Sequence, residues 1–239
     1  MFQRDARMDG YETGIKAVMD VGTNSVKLFV VEFSSGRETT LADEVVITRL
    51  GEGSEETGEL SWTAMERTAG VIGGMARNAL ALGVREITAV GTQALRTARN
   101  AGEFIHFVQS RCGVNIRVIS GGEEAEMSFM AAAGAIPGHI GERLVLDVGG
   151  GSSELAYGHP DHLTYRTSVP VGALSLHRKF FREIPGGGPV RSEILNAARQ
   201  FVMNAAENRF SAGQYGAAPC VGVGGAVTTL ASVFLGLPG

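Results

Sequence analysis

Cysteine is almost absent from the chain: of 239 residues only Cys112 and Cys220 carry a thiol, far apart and without metal-ligand spacing. That excludes a disulfide framework and a cysteine-based zinc site, and predicts two small buried thiols in a reducing compartment. Long apolar runs are missing as well. No stretch approaches the ~20 residues that span a bilayer, and the start, Met1 to Thr13, is polar and charged without the apolar core of a secretory signal. The expectation is a cytoplasmic protein that engages no membrane. Lysine is scarce, leaving arginine to carry the basic side, and the net charge is -4. Such a balance offers no general attraction for nucleic acid, so an anionic substrate has to be held by local donors and a cation.

What is present is an ordinary globular mixture, 44% apolar and 19% charged, in a length that suits two domains. Glycine stands out with 34 copies. Many fall beside Asp, Ser or Thr rather than in linker-like runs, which points to tight turns near a ligand.

Period-two apolar patterns predict a hairpin, strand Ile15 to Val21 and strand Ser25 to Phe33 around a turn at Gly22 to Asn24. A further strand is expected around Leu41 to Thr48. Ser61 is placed to cap a long helix from Trp62 to about Leu82. Strands at Glu86 to Val90 and Asn115 to Ile119 then alternate with helical pieces at Ala94 to Arg99, Glu103 to Arg111 and Gly122 to about Ala135, the order of an α/β layered domain. After Pro137 and Gly138, Leu144 to Val148 and Ser153 to Tyr157 repeat the opening pattern of strand, glycine turn and strand. VMDVGTNSVKLFVVE and LVLDVGGGSSELAYG lie 127 positions apart and share apolar run, Asp, Val, Gly, polar turn and strand. This echo predicts two similar domains facing one another, 14–135 and 136–239, after a flexible segment 1–13.

Asp20 and Asp147 each close a strand beside a glycine turn, where a carboxylate can hold Mg²⁺ while backbone amides hold phosphate oxygens. The alternative is an Asp that fixes its own turn. In Cys220-Val-Gly-Val-Gly-Gly-Ala-Val-Thr-Thr, a buried strand is expected to break at Gly224 and Gly225 and to re-form as a helix whose first amides attract phosphate; packing alone also accounts for the glycines. No loop has the Gly-Lys-Ser/Thr ending of a P-loop or the G-x-G-x-x-G order of a dinucleotide fingerprint. Ser120-Gly-Gly-Glu123-Glu124 has capping-box spacing that occupies Glu123. Glu124 is left over, on a stripe with the small side chains of Ser128 and Ala131, where it can serve as a base toward water or simply favour the helix dipole.

Two Asp-Val-Gly hairpins followed by a Gly-Gly strand-helix junction resemble the phosphate-binding layout of the actin, Hsp70 and sugar kinase (ribonuclease H-like) superfamily, an α/β fold of two similar domains with an interdomain cleft. More specifically, DVGTNSVKLFVVE, GTQALRTARN, VISGGEEAEMSF, LVLDVGGGSSELAYG, SVPVGALSL and VGVGGAVTTLAS occur in the order that identifies the exopolyphosphatase and guanosine pentaphosphate phosphohydrolase family. The resemblance implies a Mg²⁺-dependent hydrolase of the terminal phosphoanhydride of polyphosphate or pppGpp. It makes Glu124 the base toward water, Arg96 a phosphate grip, and Asp147 and Glu154 the acidic residues of the metal and reacting phosphate. Gly22, Thr23, Asn24 and Ser25 match its first phosphate loop, and Gly149, Gly150, Gly151 and Ser152 its second. Competing expectations are an ATP-dependent kinase of the same superfamily and a non-catalytic binder of polyphosphate or guanosine tetraphosphate. Oligomeric state is open, a homodimer included.

Two departures from the family pattern stand out. Ser175 occupies a position that often carries arginine, and the chain stops soon after the last motif, which predicts a truncated second domain. The helix starting near Ala226 is expected to bury Val227, Leu230, Ala231 and Phe234 against a sheet. His177, Arg178, Lys179 and Arg182 form a basic run that reads either as a solvated face or as a substrate contact.

Overall fold

The computed structural model describes residues 13–135, 141–184, 189–207, 209, 215 and 218–237. Most of the segment 1–13, expected to be flexible, lies outside them, as do Pro137 and Gly138. The chain divides into two units, Met1–Val118 and Ile119–Gly239.

The first unit is built on a five-stranded sheet of order β3-β2-β1-β4-β5, from β1 (Gly14–Val21), β2 (Ser25–Ser34), β3 (Arg37–Ile47), β4 (Ile87–Gly91) and β5 (Ile116–Val118). Alternation assigns its faces: Ala17, Met19 and Val21 of β1 and Val26, Leu28 and Val30 of β2 are buried, while the intervening residues point the other way. A four-residue helix α1 (Ser54–Thr57) interrupts the polar loop before α2 (Trp62–Ala81). Ser61 caps α2 as its sequence predicts, its hydroxyl accepting from the Ala64 amide at 3.2 Å. Met65, Ala69, Ile72, Ala76 and Ala79 then form the helical stripe laid on the sheet. The core is completed by Leu95 of α3 (Gln93–Thr97) and by Phe104 and Val108 of α4 (Ala101–Cys112). Burial of each large side chain contributes ~1.5–3 kcal/mol, so this stripe and the strand faces are the main stabilising term of the unit.

The second unit repeats the plan in shorter form. Its sheet has order β8-β7-β6-β9, from β6 (Arg143–Val148), β7 (Ser153–His159), β8 (His162–Val169) and β9 (Cys220–Val223). In both units a three-stranded antiparallel meander starts on the strand that ends in Asp-Val, and that strand takes a later parallel strand on its other side: β1 pairs with β4, β6 with β9. Helix α5 (Gly121–Ala135) packs on β6, β7 and β8, its Ala125, Phe129 and Ala132 meeting Val145 and Ala156. The sequence predicts residues 122–135 in the first domain; in the structure α5 lies in the second unit, because its apolar stripe finds its partners on that sheet. The helical segment α6 (Ala173–Leu176) runs into a π turn at His177–Phe181, followed by α7 (Ser192–Ala206) and α8 (Gly225–Leu235).

Two expectations fail at the end of the chain. Strand β9 is an edge strand rather than a buried one, so Cys220 is exposed while Cys112 is half-buried. Helix α8 does not bury its apolar face: Val227 turns toward Gly222, but Leu230 and Phe234 are 69% and 89% exposed, since no described element covers that flank. Among the described residues no helix is long and apolar enough to cross a membrane.

Candidate active site

The polar groups of the second unit converge where β6 ends. Asp147 pairs across the ladder with Glu154 on one side and with Val223 on the other, and Glu154 pairs with Ser168 of β8. Residues directly opposite in a ladder share a face, so Asp147, Glu154 and Ser168 form one polar row. It continues the face whose apolar part, Val145 and Ala156, lies under α5. The Ser128 hydroxyl of α5 donates to Asp147 Oδ2 at 2.7 Å, and the Ser168 hydroxyl donates to Glu154 Oε1 at 2.7 Å. Two neighbouring carboxylates are thus each held by one serine. Glu154 is only 2% exposed, a buried acid behind Asp147 rather than a group at the surface of the site.

Glu124 stands one helical turn before Ser128 on α5, which carries it to the side of the helix that reaches Asp147. Its neighbour Glu123 has the structural task that its spacing predicts. The Glu123 carboxylate accepts the Ser120 amide at 2.8 Å, and the Ser120 hydroxyl accepts the Glu123 amide at 3.1 Å.

The loop Gly149–Ser152 follows Asp147 and is shaped from within by the Gly149 amide donating to the Ser152 carbonyl at 3.0 Å. From outside it is clamped by the start of α6, where the Ala173 amide donates to Gly149 O and the Leu174 amide to Gly150 O, both at 2.9 Å. Gly172 makes that clamp possible: a Cβ there would lie 2.5 Å from the carbonyl of Gly150 and 2.6 Å from that of Gly149. Gly224 closes the site on the β9 side with φ 91°, and a Cβ on it would fall 2.7 Å from both Asp147 Oδ1 and the Val148 carbonyl. Gly225 opens α8 and faces open space.

The first unit has the same turn. The Gly22 amide donates to the Ser25 carbonyl at 3.0 Å, as in the second loop, and the added-Cβ distance to the serine carbonyl is 3.1 Å at both Gly22 and Gly149. Both first-glycine amides are therefore spent on shaping their loops. Thr23 and Asn24 are pinned through their carbonyls, Thr23 O accepting from Gly51 at 3.0 Å and Asn24 O accepting from Thr48 and Arg49 at 2.9 and 2.8 Å. Arg49 has a left-handed φ of 51° at this contact, a strained backbone for a residue with a side chain. Asp20 faces Lys27 at 3.2 Å through Oδ2, while its Oδ1 is buried with no hydrogen-bond partner. Arg96 sits on α3 directly after β4, at the same carboxyl edge of the sheet as Asp20. There its guanidinium donates to Gln93 Oε1 at 2.9 and 3.3 Å.

The structure therefore gathers Glu124, Asp147, Glu154, Gly149 to Ser152 and Gly224 in the second unit, and Asp20, Gly22 to Ser25 and Arg96 at one edge of the first. Sequence reasoning passed over Ser168 and Gly172, whose partners are distant in the chain, and named Ser128 only as a small side chain. Among the described residues no three His, Cys, Asp or Glu side chains converge into a ready metal cage. Mg²⁺ needs no such cage: it binds through one or two carboxylates, completing its shell with water and substrate phosphate. The orphaned Asp20 oxygen and the Asp147–Glu154 pair suit a hard cation of this kind.

Comparison with known proteins shows which family shares this sequence and fold. Residues 29–234 match the Ppx/GppA phosphatase family. Over 171 residues the chain is 31% identical to exopolyphosphatase 1 of Mycobacterium leprae, covering 71% of this chain and 50% of that protein. Over 219 residues it is 32% identical to the guanosine-5'-triphosphate,3'-diphosphate pyrophosphatase of Vibrio cholerae, covering 92% of this chain and 43% of that protein. The chain thus spans about half the length of these curated relatives. The solved Aquifex aeolicus PPX-GPPA enzyme superposes with a TM-score of 0.75 at 29% identity, over 94% of this chain and 73% of that one. At the level of fold alone, MreB5 of Spiroplasma citri bound to ADP matches with a TM-score of 0.52 at 12% identity, over 95% of this chain and 91% of that one.

Proposed function

Because the chain belongs to the Ppx/GppA phosphatase family, we propose that it hydrolyses the terminal phosphoanhydride bond of inorganic polyphosphate or of pppGpp, releasing orthophosphate. The observation that carries this reading is the Ser128–Asp147 hydrogen bond, which ties the helix of Glu124 to the carboxylate beside the glycine loop. Glu124 takes a proton from water as its oxygen bonds to the terminal phosphorus. The bridging P–O bond breaks, and the shortened chain leaves with the electron pair. In the second unit, amides of the loop after Gly149 and of the first turn of α8 after Gly224 hold phosphate oxygens; in the first unit, the loop Gly22 to Ser25 and the donor fork of Arg96 are the groups suited to phosphate.

Asp147 in the second unit and Asp20 in the first are each a carboxylate suited to Mg²⁺, which when bound supplies positive charge against phosphate oxygens. Glu154, buried and fixed by Ser168, is in this reading a positioning residue that sets the charge behind Asp147 rather than a group on the substrate.

The test is phosphate release from long-chain polyphosphate, pppGpp and ATP in parallel, with and without Mg²⁺. Magnesium-dependent release from the first or second supports the proposal. No release from either, or phosphoryl transfer from ATP to an added hydroxyl compound, overturns it.

A further inference from the structure

One side chain of α2 stands at the far end of the contacts that hold the first glycine loop. Arg67 donates from Nε to the Thr48 carbonyl at 2.5 Å and from Nη2 to the Arg49 carbonyl at 3.3 Å. Its Nη2 also meets Glu52 Oε2 at 3.3 Å, an exposed ion pair of small energetic weight. Both accepting carbonyls belong to the segment that clasps the loop: the Thr48 and Arg49 amides donate to Asn24 O at 2.9 and 2.8 Å, and the Gly51 amide donates to Thr23 O at 3.0 Å. The fit is close, since a Cβ on Gly51 would lie 2.5 Å from the Thr23 methyl. Arg67 is itself fixed, because it stands on α2 between Met65 and Ala69, which are buried in the core of this unit. Arg49 holds its place at a φ of 51°, and a strained backbone persists only where its surroundings over-determine it.

These contacts run in series. The peptide joining Thr48 to Arg49 accepts from Arg67 through its oxygen and donates to Asn24 O through its nitrogen. The peptide joining Asn24 to Ser25 accepts there and carries its own N–H on Ser25. A trans peptide is planar, with C=O and N–H directed oppositely, so a carbonyl held on the clasp side turns its N–H to the other side. That fixes the direction of the Ser25 amide and, through Thr23 O, of the Asn24 amide. Hydrogen bonds in a chain polarise one another, and a full positive charge at one end makes the last donor stronger. We infer that Arg67 is a positioning residue: through two successive peptides it orients the Asn24 and Ser25 amides and strengthens the Ser25 N–H as a donor to a phosphate oxygen, without touching the substrate itself. The inference rests on the hydrolase reading above for the identity of the anion.

The experiment compares Arg67→Met, Arg67→Lys and Glu52→Gln with the unsubstituted protein. KM and kcat are read from phosphate release, and the Ser25 amide proton is followed in ¹H–¹⁵N spectra. Loss of a hydrogen bond made by a charged group corresponds to roughly a tenfold effect or more. Arg67→Met should therefore raise KM by about that factor, change kcat less, and move the Ser25 amide proton upfield. Arg67→Lys keeps the charge and should recover most of both. Glu52→Gln removes only the ion pair and should leave both as they are. A KM and a Ser25 shift unchanged in Arg67→Met overturn the inference, and so does an equal effect in Glu52→Gln. If Arg67→Met does not fold, the unsubstituted protein and Arg67→Lys carry the test: inorganic tripolyphosphate added without Mg²⁺ should move the Ser25 amide in both, and an unmoved resonance in either overturns the inference. A Ser25 amide that responds to tripolyphosphate and to Arg67→Met in a protein that releases no phosphate keeps the positioning role and overturns the hydrolase. Phosphate release with a KM indifferent to Arg67→Met does the reverse.

Discussion

Ser128 donates its hydroxyl to Asp147 Oδ2 at 2.7 Å across 19 positions of sequence, joining helix α5 to the strand end that precedes the glycine loop. Ser128→Ala should leave that oxygen without its donor and free the carboxylate to rotate. A hydrogen bond to a charged group is worth ~1.5–3 kcal/mol, so turnover should fall roughly 10- to 100-fold. The Mg²⁺ concentration giving half-maximal rate should rise as well, which a loss of packing alone would not produce. Mg²⁺ titrations of phosphate release on both proteins check this; an unchanged Mg²⁺ dependence means that Ser128 does not position a metal ligand.

Glu124→Gln keeps the size of the side chain and removes the base, and turnover should drop by roughly 100-fold or more with little change in Tm. Glu123→Gln keeps an oxygen that accepts the Ser120 amide and should spare most of both activity and stability. Paired melts and initial rates separate the two. Greater loss of activity in the Glu123 variant would reverse the assignment.

Gly172→Ala should damage the second loop, since the new Cβ would meet the Gly150 carbonyl at 2.5 Å, and backbone rather than a flexible side chain would have to yield. Strain of this kind typically costs ~1–3 kcal/mol, and activity should fall further than stability. Gly225→Ala is the control, because its Cβ enters open space at the start of a helix. Equal rates for the two variants would show that the α6 clamp does not set the loop.

Cys112 and Cys220 should label at very different rates. Burial pushes the Cys112 thiol above its usual pKa, with Arg111 and Arg77 opposing the shift, whereas Cys220 is exposed on an edge strand. The thiolate is the reactive form, so native protein at neutral pH should take up one equivalent of a thiol reagent quickly and the second slowly. By linkage, a thiol whose pKa is raised in the fold stabilises the protein below the pKa of the unfolded chain and loses that contribution as pH climbs through the folded value. Stability should therefore decline in strongly alkaline solution, and less so for Cys112→Ala. Melts across that range test the sign.

Leu230→Ser/Phe234→Ser should leave Tm almost unchanged, since both side chains already meet solvent. Surface substitutions of this kind stay within ~0.5 kcal/mol. Self-association measured by light scattering should decrease, because exposed apolar patches of this sort favour association. A fall of several degrees in Tm would mean that something covers α8.

What was legible in the sequence was local. The two Asp-Val-Gly turns, the Ser61 cap and the Ser120–Glu123 box each depend on residues within a few positions, and each has the predicted form. The position of α5 was not legible: a stripe of Ala125, Phe129 and Ala132 fits any apolar sheet, and only the distant Val145 and Ala156 decide which. Gly172 was hidden for a similar reason. Its φ of -130° is open to any residue, and its constraint comes from a loop more than twenty positions earlier. The exposed face of α8 was misread because a strongly apolar helix predicts burial without saying whether a partner stands beside it.

The matched turns after Asp20 and Asp147 have the marks of a duplicated half, yet the copies have parted in one respect. Across the ladder Asp20 faces Lys27, and Asp147 faces Glu154. The first pairs an acid with a base, 3.2 Å apart, and the second sets two carboxyl groups side by side, one of them buried. A single difference at one strand position, base against acid, thus gives two turns of the same backbone hydrogen bond unlike surroundings of charge.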